Sequence, residues 1–290
     1  MGAEEAFLRV TREFDELELI WTGMLGVAVP FDAPSDFKAR ILAAASTYFL
    51  GKKSVDNELK RYGESYELER PSVEERVMFA ALIASKWHVQ QLTAALSGFP
   101  NVEVNSGLFA AEACLIRLQA SFKSAVLLIR QGYVLEASAV CRLILEQLAW
   151  AFAIHKLEDH SFFDLEPNRC ITELKKLCPT AGKFYGSLSG LAHVHPSHTP
   201  EYLDFEGPRT AVLLRITHLR WTAVFNLMKL ADWFCLVGEY VVFEHLVVPQ
   251  SVRRIKDGTL CAHPKRPFVH EILKYAKAAQ SAGAPIIIES

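Results

Sequence analysis

The sequence is poor in the short signatures that announce an enzyme. It has no G-x-G-x-x-G and no G-x-S-x-G, and Gly51-Lys52-Lys53 stands without the rest of a phosphate-binding loop. Motif-level grounds for a dinucleotide enzyme, a serine hydrolase or a P-loop NTPase are therefore missing. No two of the six cysteines have C-x-x-C spacing, and most sit in apolar text, which reads as reduced core thiols of a cytoplasmic protein. Charge of one sign is lacking too: 31 Lys and Arg face 33 Asp and Glu, for a formal net charge of −2. A broad nucleic-acid-binding surface is not implied, although a local patch is allowed. No uncharged apolar run reaches the roughly 18–20 residues that a membrane span needs. The most apolar stretch, 211–246, is interrupted by Arg215, His218, Arg220, Lys229, Asp232 and Glu239, so no membrane partner is expected. The opening "MGAEEAFLRVTREFDEL" is acidic and amphipathic, unlike a signal peptide, and Ala6 stands where a myristoylation motif wants Ser or Thr. Strand-like alternation and internal repeats are also wanting; "APIII" at 284–288 is the one β-like run.

What is present is apolar helical text. Of 290 residues, 51% are hydrophobic, and mean hydropathy is +0.15. That suffices for a large core and points to well-buried helices or an oligomer interface. Residues 4–26 space Phe7, Leu8, Val10, Phe14, Leu17, Leu19 and Ile20 as a helix would. Pro30 and Pro34 break that pattern, and Ser35 is placed to cap a helix running to about residue 50. A polar stretch follows, then a helix after Ser72, with Glu75 completing a capping box. "SGFPNVEVNSG" marks a boundary near residue 100. Helices at 107–130 and 133–157 join through "RQGY", where Gly132 suits a left-handed closing turn; so short a link makes them antiparallel neighbours. Shorter helices are expected at 168–177 and 181–194, a long one at 209–247 and one near 268–280.

The expected fold class is an all-α helical bundle with an additional N-terminal helical region. Its parts would be 1–100, an N-terminal helical region; 101–248, the bundle; and 249–290, a mostly irregular tail made basic by Arg253, Arg254, Lys256, Lys265 and Arg266.

Two sets of polar residues stand out against this background. Arg142 and Glu146 interrupt the helix at 133–157, which is apolar nearly all round. Four residues apart, they share a face, while Glu136 points elsewhere. A buried charge must find a partner, so they form either an internal pair or one wall of a polar cavity. The second set is "YGSLSGLAHVHPSHTP", residues 185–200, which holds three of the chain's ten histidines. Tyr185, Ser189 and His193 form one stripe; His195 and His198 lie beyond it on a proline-broken loop. Three readings stand side by side. Histidines suit helix C-termini and turns. An imidazole placed by Ser189 or Tyr185 suits acid–base or binding work near neutral pH. H-x-H-x-x-H offers three imidazoles for zinc, although Ser197 departs from the familiar H-x-H-x-D-H pattern.

"LLIRQGYVLEASAVCRLILEQLAW" followed by "YGSLSGLAHVHPS" resembles a bacterial HEPN-like helical family of unknown function. Gly132, Glu136, Ala137, Arg142, Glu146, Tyr185, Leu188, Ser189, His193, His195 and Pro196 carry the likeness, which covers about 107–247. The resemblance implies a helical bundle, a homodimer, an RNA or nucleotide ligand, no cofactor, and a role in stress or phage defence. Many such proteins are metal-independent ribonucleases with Arg, four to six residues, then His on one helix. Here no Arg stands at those distances before His193, His195 or His198. A ribonuclease would need Arg142 from the neighbouring helix, with His193 or His195 moving the proton. The leading expectation is a binding module whose polar face comprises Arg142, Glu146, Tyr185, Ser189 and His193. The ribonuclease is the alternative, and a metal-dependent hydrolase using His193, His195 and His198 is a third. The first hundred residues are a candidate surface for a protein partner.

Overall fold

In the computed structural model the described residues are 17–22, 25–31, 33–63, 72–96, 105–158, 160–193, 195–204, 211–246 and 248–284. Helices dominate, as expected of an all-α bundle, and three small two-stranded antiparallel hairpins decorate them. The chain divides into two compact units, 1–72 and 73–290. The division falls before the helix that opens at residue 73 rather than near residue 100, because that helix packs into the bundle.

The first unit opens with a correction. Part of the helix expected at 4–26 is a hairpin of β1 (Leu17–Thr22) and β2 (Leu25–Pro30), with Leu17 opposite Pro30 and Thr22 opposite Leu25. Over six residues the same apolar letters satisfy period two as well as 3.6. Gly23, a helix breaker, and the β-branched Val27 and Val29 decide for strands. Phe7, Leu8, Val10 and Phe14 lie outside the described residues. Helix α1 (Ser35–Phe49) follows, with Pro34 rather than Ser35 at the cap position. Its Lys38 is buried, pairs with Glu18 and donates to the Phe31 carbonyl. The polar stretch contains a further helix, α2 (Val55–Tyr62). Ser54 accepts from the Asn57 amide, acids sit in the first turn and bases in the last, so local signals suffice there without an apolar run.

The second unit is the bundle. Its long helices are α3 (Val73–Leu96), α4 (Ser106–Gln131) and α5 (Val134–Ile154). Two shorter ones follow, α6 (Ile171–Leu174) and α7 (Ala181–Ala192). The pair β3 (Leu203–Asp204) and β4 (Ala211–Val212) precedes α8 (Arg220–Val241). The pair β5 (Val252–Arg254) and β6 (Leu260–Ala262) precedes α9 (Pro267–Ser281). Gly132 takes φ 81° and closes α4, with its amide on the Ile129 carbonyl and that of Tyr133 on Leu128, so α4 and α5 form the expected antiparallel hairpin. At the other end Gly107 donates to the Leu157 carbonyl, and a Cβ there would strike the Ile154 and Leu157 carbonyls. Close approach therefore requires glycine.

Helix α5 is central, packed by α4, α6, α7 and α8. It is long and apolar enough to cross a membrane by length and composition, yet most of it is buried in the bundle. The core joins Leu115, Leu118, Phe122, Ile144, Leu145 and Leu148 with Phe234, whose ring meets Phe122 edge-on at 5.6 Å. Helix α8 is shorter than the expected 209–247. Before it, Leu213 donates to the Tyr202 carbonyl and Ile216 to that of Gly132, so tertiary hydrogen bonds replace helical ones. The tail is not an irregular appendage. Asp232, buried in α8, takes a two-point ion pair from Arg266 at 2.6 and 2.7 Å. Glu239 Oε2 accepts the backbone amides of Gln250, Ser251 and Val252. Two acids that interrupt apolar text thus fasten the C-terminal segment to the core. Residues 285–288 of "APIII" lie outside the described residues.

Candidate functional site

Helices α5 and α7 pack side by side, and the polar residues singled out in each meet between them. On α5 the four-residue spacing brings Arg142 Nε to Glu146 Oε1 at 3.0 Å. The Tyr185 hydroxyl, from α7, donates to that same carboxylate oxygen at 2.9 Å and accepts from Arg142 Nη2 at 3.1 Å. The guanidinium carbon lies 5.2 Å from the Tyr185 ring centre, within cation–π reach. Two turns along α7, His193 Nε2 meets Arg142 Nη1. The cluster therefore joins residues 142, 146, 185 and 193 through one guanidinium.

Charge and exposure define what this arrangement does. The Arg142 and Glu146 side chains are 23% and 17% exposed, so the pair is partly screened by water. Burial works against the Arg142 charge, but the hydrogen bonds it donates to Glu146 and Tyr185, and their fields, outweigh it and hold the guanidinium above its ordinary value. Guanidinium only donates, so a hydrogen bond between these two groups has His193 Nε2 as its acceptor. His193 is exposed, its backbone amide bonded to the Ser189 carbonyl as α7 ends. It is the exposed member of an otherwise half-buried set. The Ser189 hydroxyl, on the same stripe, is shielded from solvent and has no hydrogen-bond partner.

The other two histidines build the turn after α7. His195 caps the short 3-10 segment Pro196–Tyr202: its Nδ1 accepts from the Ser197 amide and lies 2.9 Å from the Ser197 hydroxyl. His198 lies over Gly190, where an added Cβ would come within 3.3 Å of its Nε2. The expected grouping of Arg142, Glu146, Tyr185 and His193 is brought together; Ser189 adjoins it without a bond, and His195 is committed to its turn. Among the described residues no three His, Cys, Asp or Glu groups are disposed to hold a metal, so H-x-H-x-x-H does not converge into a ligand set.

Sequence reasoning missed two neighbours. His218 Nε2 pairs with Glu201 at 2.6 Å, tying the segment before α8 to the histidine turn. Lys229 lies over the rings of Phe184 and Trp233, at 4.5 and 5.1 Å, and desolvation lowers its pKa. A lysine inside the apolar text of 211–246 was the available signal for the second; the first has no local signature. No protein-family model matches the chain, and no curated protein or solved structure is significantly similar to it.

Proposed function

We propose that this chain is a binding module for an anionic ligand of the nucleotide or RNA-phosphate class, held beside Arg142. The carrying observation is that Arg142 engages Tyr185 and the exposed His193 from a second helix. Glu146 balances and orients the guanidinium when no ligand is present. An incoming oxyanion takes the Nη1 donor as the exposed imidazole swings aside. The HEPN-like kinship belongs to this proposal; the Gly132 hairpin with α7 packed against α5 supports it. So does a cytoplasmic setting, supported by six free cysteines, four of them buried. Equilibrium binding of adenosine monophosphate and of mixed RNA tests the reading. Affinity is expected to drop about tenfold in a folded Arg142→Lys variant, because lysine lacks the planar fork. No binding of either probe by wild type would sink the proposal.

A second reading is metal-independent RNA cleavage. The meeting of Arg142 and His193 favours it, since two helices together supply the pair that one helix lacks here. Arg142 would hold the phosphate, and His193 would take the proton of a 2′-hydroxyl attacking the phosphorus and return it to the 5′-oxygen that leaves as the P–O5′ bond breaks. Its test is incubation with mixed cellular RNA in EDTA. Cleavage lost in His193→Ala but kept in His195→Ala is the expected pattern; no cleavage by wild type returns the weight to binding alone.

A further inference from the structure

Helix α1 ends on consecutive exposed apolar residues. Tyr48, Phe49 and Leu50 are 87%, 70% and 61% exposed. Successive helical residues point about 100° apart, so three in a row reach solvent only where a helix end protrudes. Gly51, at φ 60°, turns the chain, and a Cβ there would meet nothing within 4 Å. The tip is closed on itself: Leu50 donates to the Ser46 carbonyl at 2.9 Å, Gly51 to Tyr48 at 3.2 Å and Lys52 to Thr47 at 2.8 Å. Entry into an apolar layer would therefore strand none of these three amides. Lys52 and Lys53 follow at once, both exposed.

Single exposed apolar residues are ordinary, but three in a row at one hydrogen-bonded helix end, followed at once by two exposed lysines, are not. A protein groove reads a helix face, with anchors at i, i+3 and i+4. Here the side chains radiate, which suits a fluid layer that closes round them from every side. The lysines make the favoured surface anionic. We propose that Tyr48, Phe49 and Leu50 insert peripherally into an anionic lipid surface, with Lys52 and Lys53 against its headgroups. The absence of a spanning run does not bear on such contact, which needs only a short interfacial element.

The test is flotation of the full chain with vesicles of phosphatidylcholine, with and without phosphatidylserine. Wild type should float with the phosphatidylserine vesicles at low salt and be released by high salt. Replacing Tyr48, Phe49 and Leu50 together by Ser should cut binding about tenfold with an unchanged circular dichroism spectrum. A Lys52→Glu, Lys53→Glu double variant should lose the preference for phosphatidylserine. Absence of vesicle binding by wild type, or binding undiminished in the triple variant, overturns the proposal. So does tip-dependent dimerisation without vesicle binding, which would make a second copy the occupant.

Discussion

Arg142 bonds to three partners on two helices, so its removal strands Glu146 with Tyr185 alone. Both charges are partly exposed, which tempers the loss. Arg142→Ala should stay folded and lose about 1–2 kcal/mol in urea unfolding. Loss of the whole fold would instead make the cluster a structural keystone. Two other histidines set a pH dependence. Burial lowers His88, against the raising fields of Glu271 and Asp232, and lowers His155, against its bond to the Phe152 carbonyl, from the ordinary 6.5. His155 Nε2 is buried without a partner, between the rings of Phe152 and Tyr240. A histidine with a depressed folded pKa binds its proton more readily in the unfolded chain. The stability it contributes is full above about 6.5 and is lost as pH falls through the lower folded value. The urea midpoint should therefore fall on acidification from neutral pH, and less steeply in His155→Phe. An equal slope in that variant would remove His155 from the account.

Among elements, α8 shows how buried acids become fasteners. Asp232 and Glu239 have no place in a plain apolar helix, yet each holds part of the segment that follows. The two-point bond from Arg266 to Asp232 is the largest influence raising the Arg266 pKa. Asp232→Ala leaves that guanidinium facing an apolar helix and should cost about 3 kcal/mol. Limited proteolysis should then cut between 248 and 266 faster than in wild type; an unchanged cutting rate would show that Glu239 and the packing of α9 suffice. The helices were legible in the sequence where periodicity, caps and glycine agreed, as at α4, Gly132 and α5. They were misread where periodicity was short. Residues 17–30 fit a strand and a helix alike, and within 211–219 the amides of Leu213 and Ile216 go to Tyr202 and Gly132, partners that no local pattern names.

At the scale of the whole molecule, the main buried core among the described residues runs from Met78 to Ala279, within the second unit. The fragment 73–290 should accordingly fold alone, with a cooperative thermal transition and a helical spectrum. A fragment that aggregates or melts without cooperativity would show that residues 1–72 complete the bundle. The boundary near 100 misjudged this because α3 is followed by loop-like text, while its partners α4, α8 and α9 all lie later in the chain.

By itself the sequence determined the helical class, the α4–α5 hairpin and the identity of the polar residues worth watching. These follow from short-range rules: the period of apolar residues, a left-handed glycine, and the need of any buried charge for a partner. Tertiary structure alone decided which partner each took. Arg142 reaches His193 across 51 positions and Arg266 reaches Asp232 across 34, while His195 turns away to cap its own loop. Helix pattern fixes which face a side chain occupies, but only packing places two faces together.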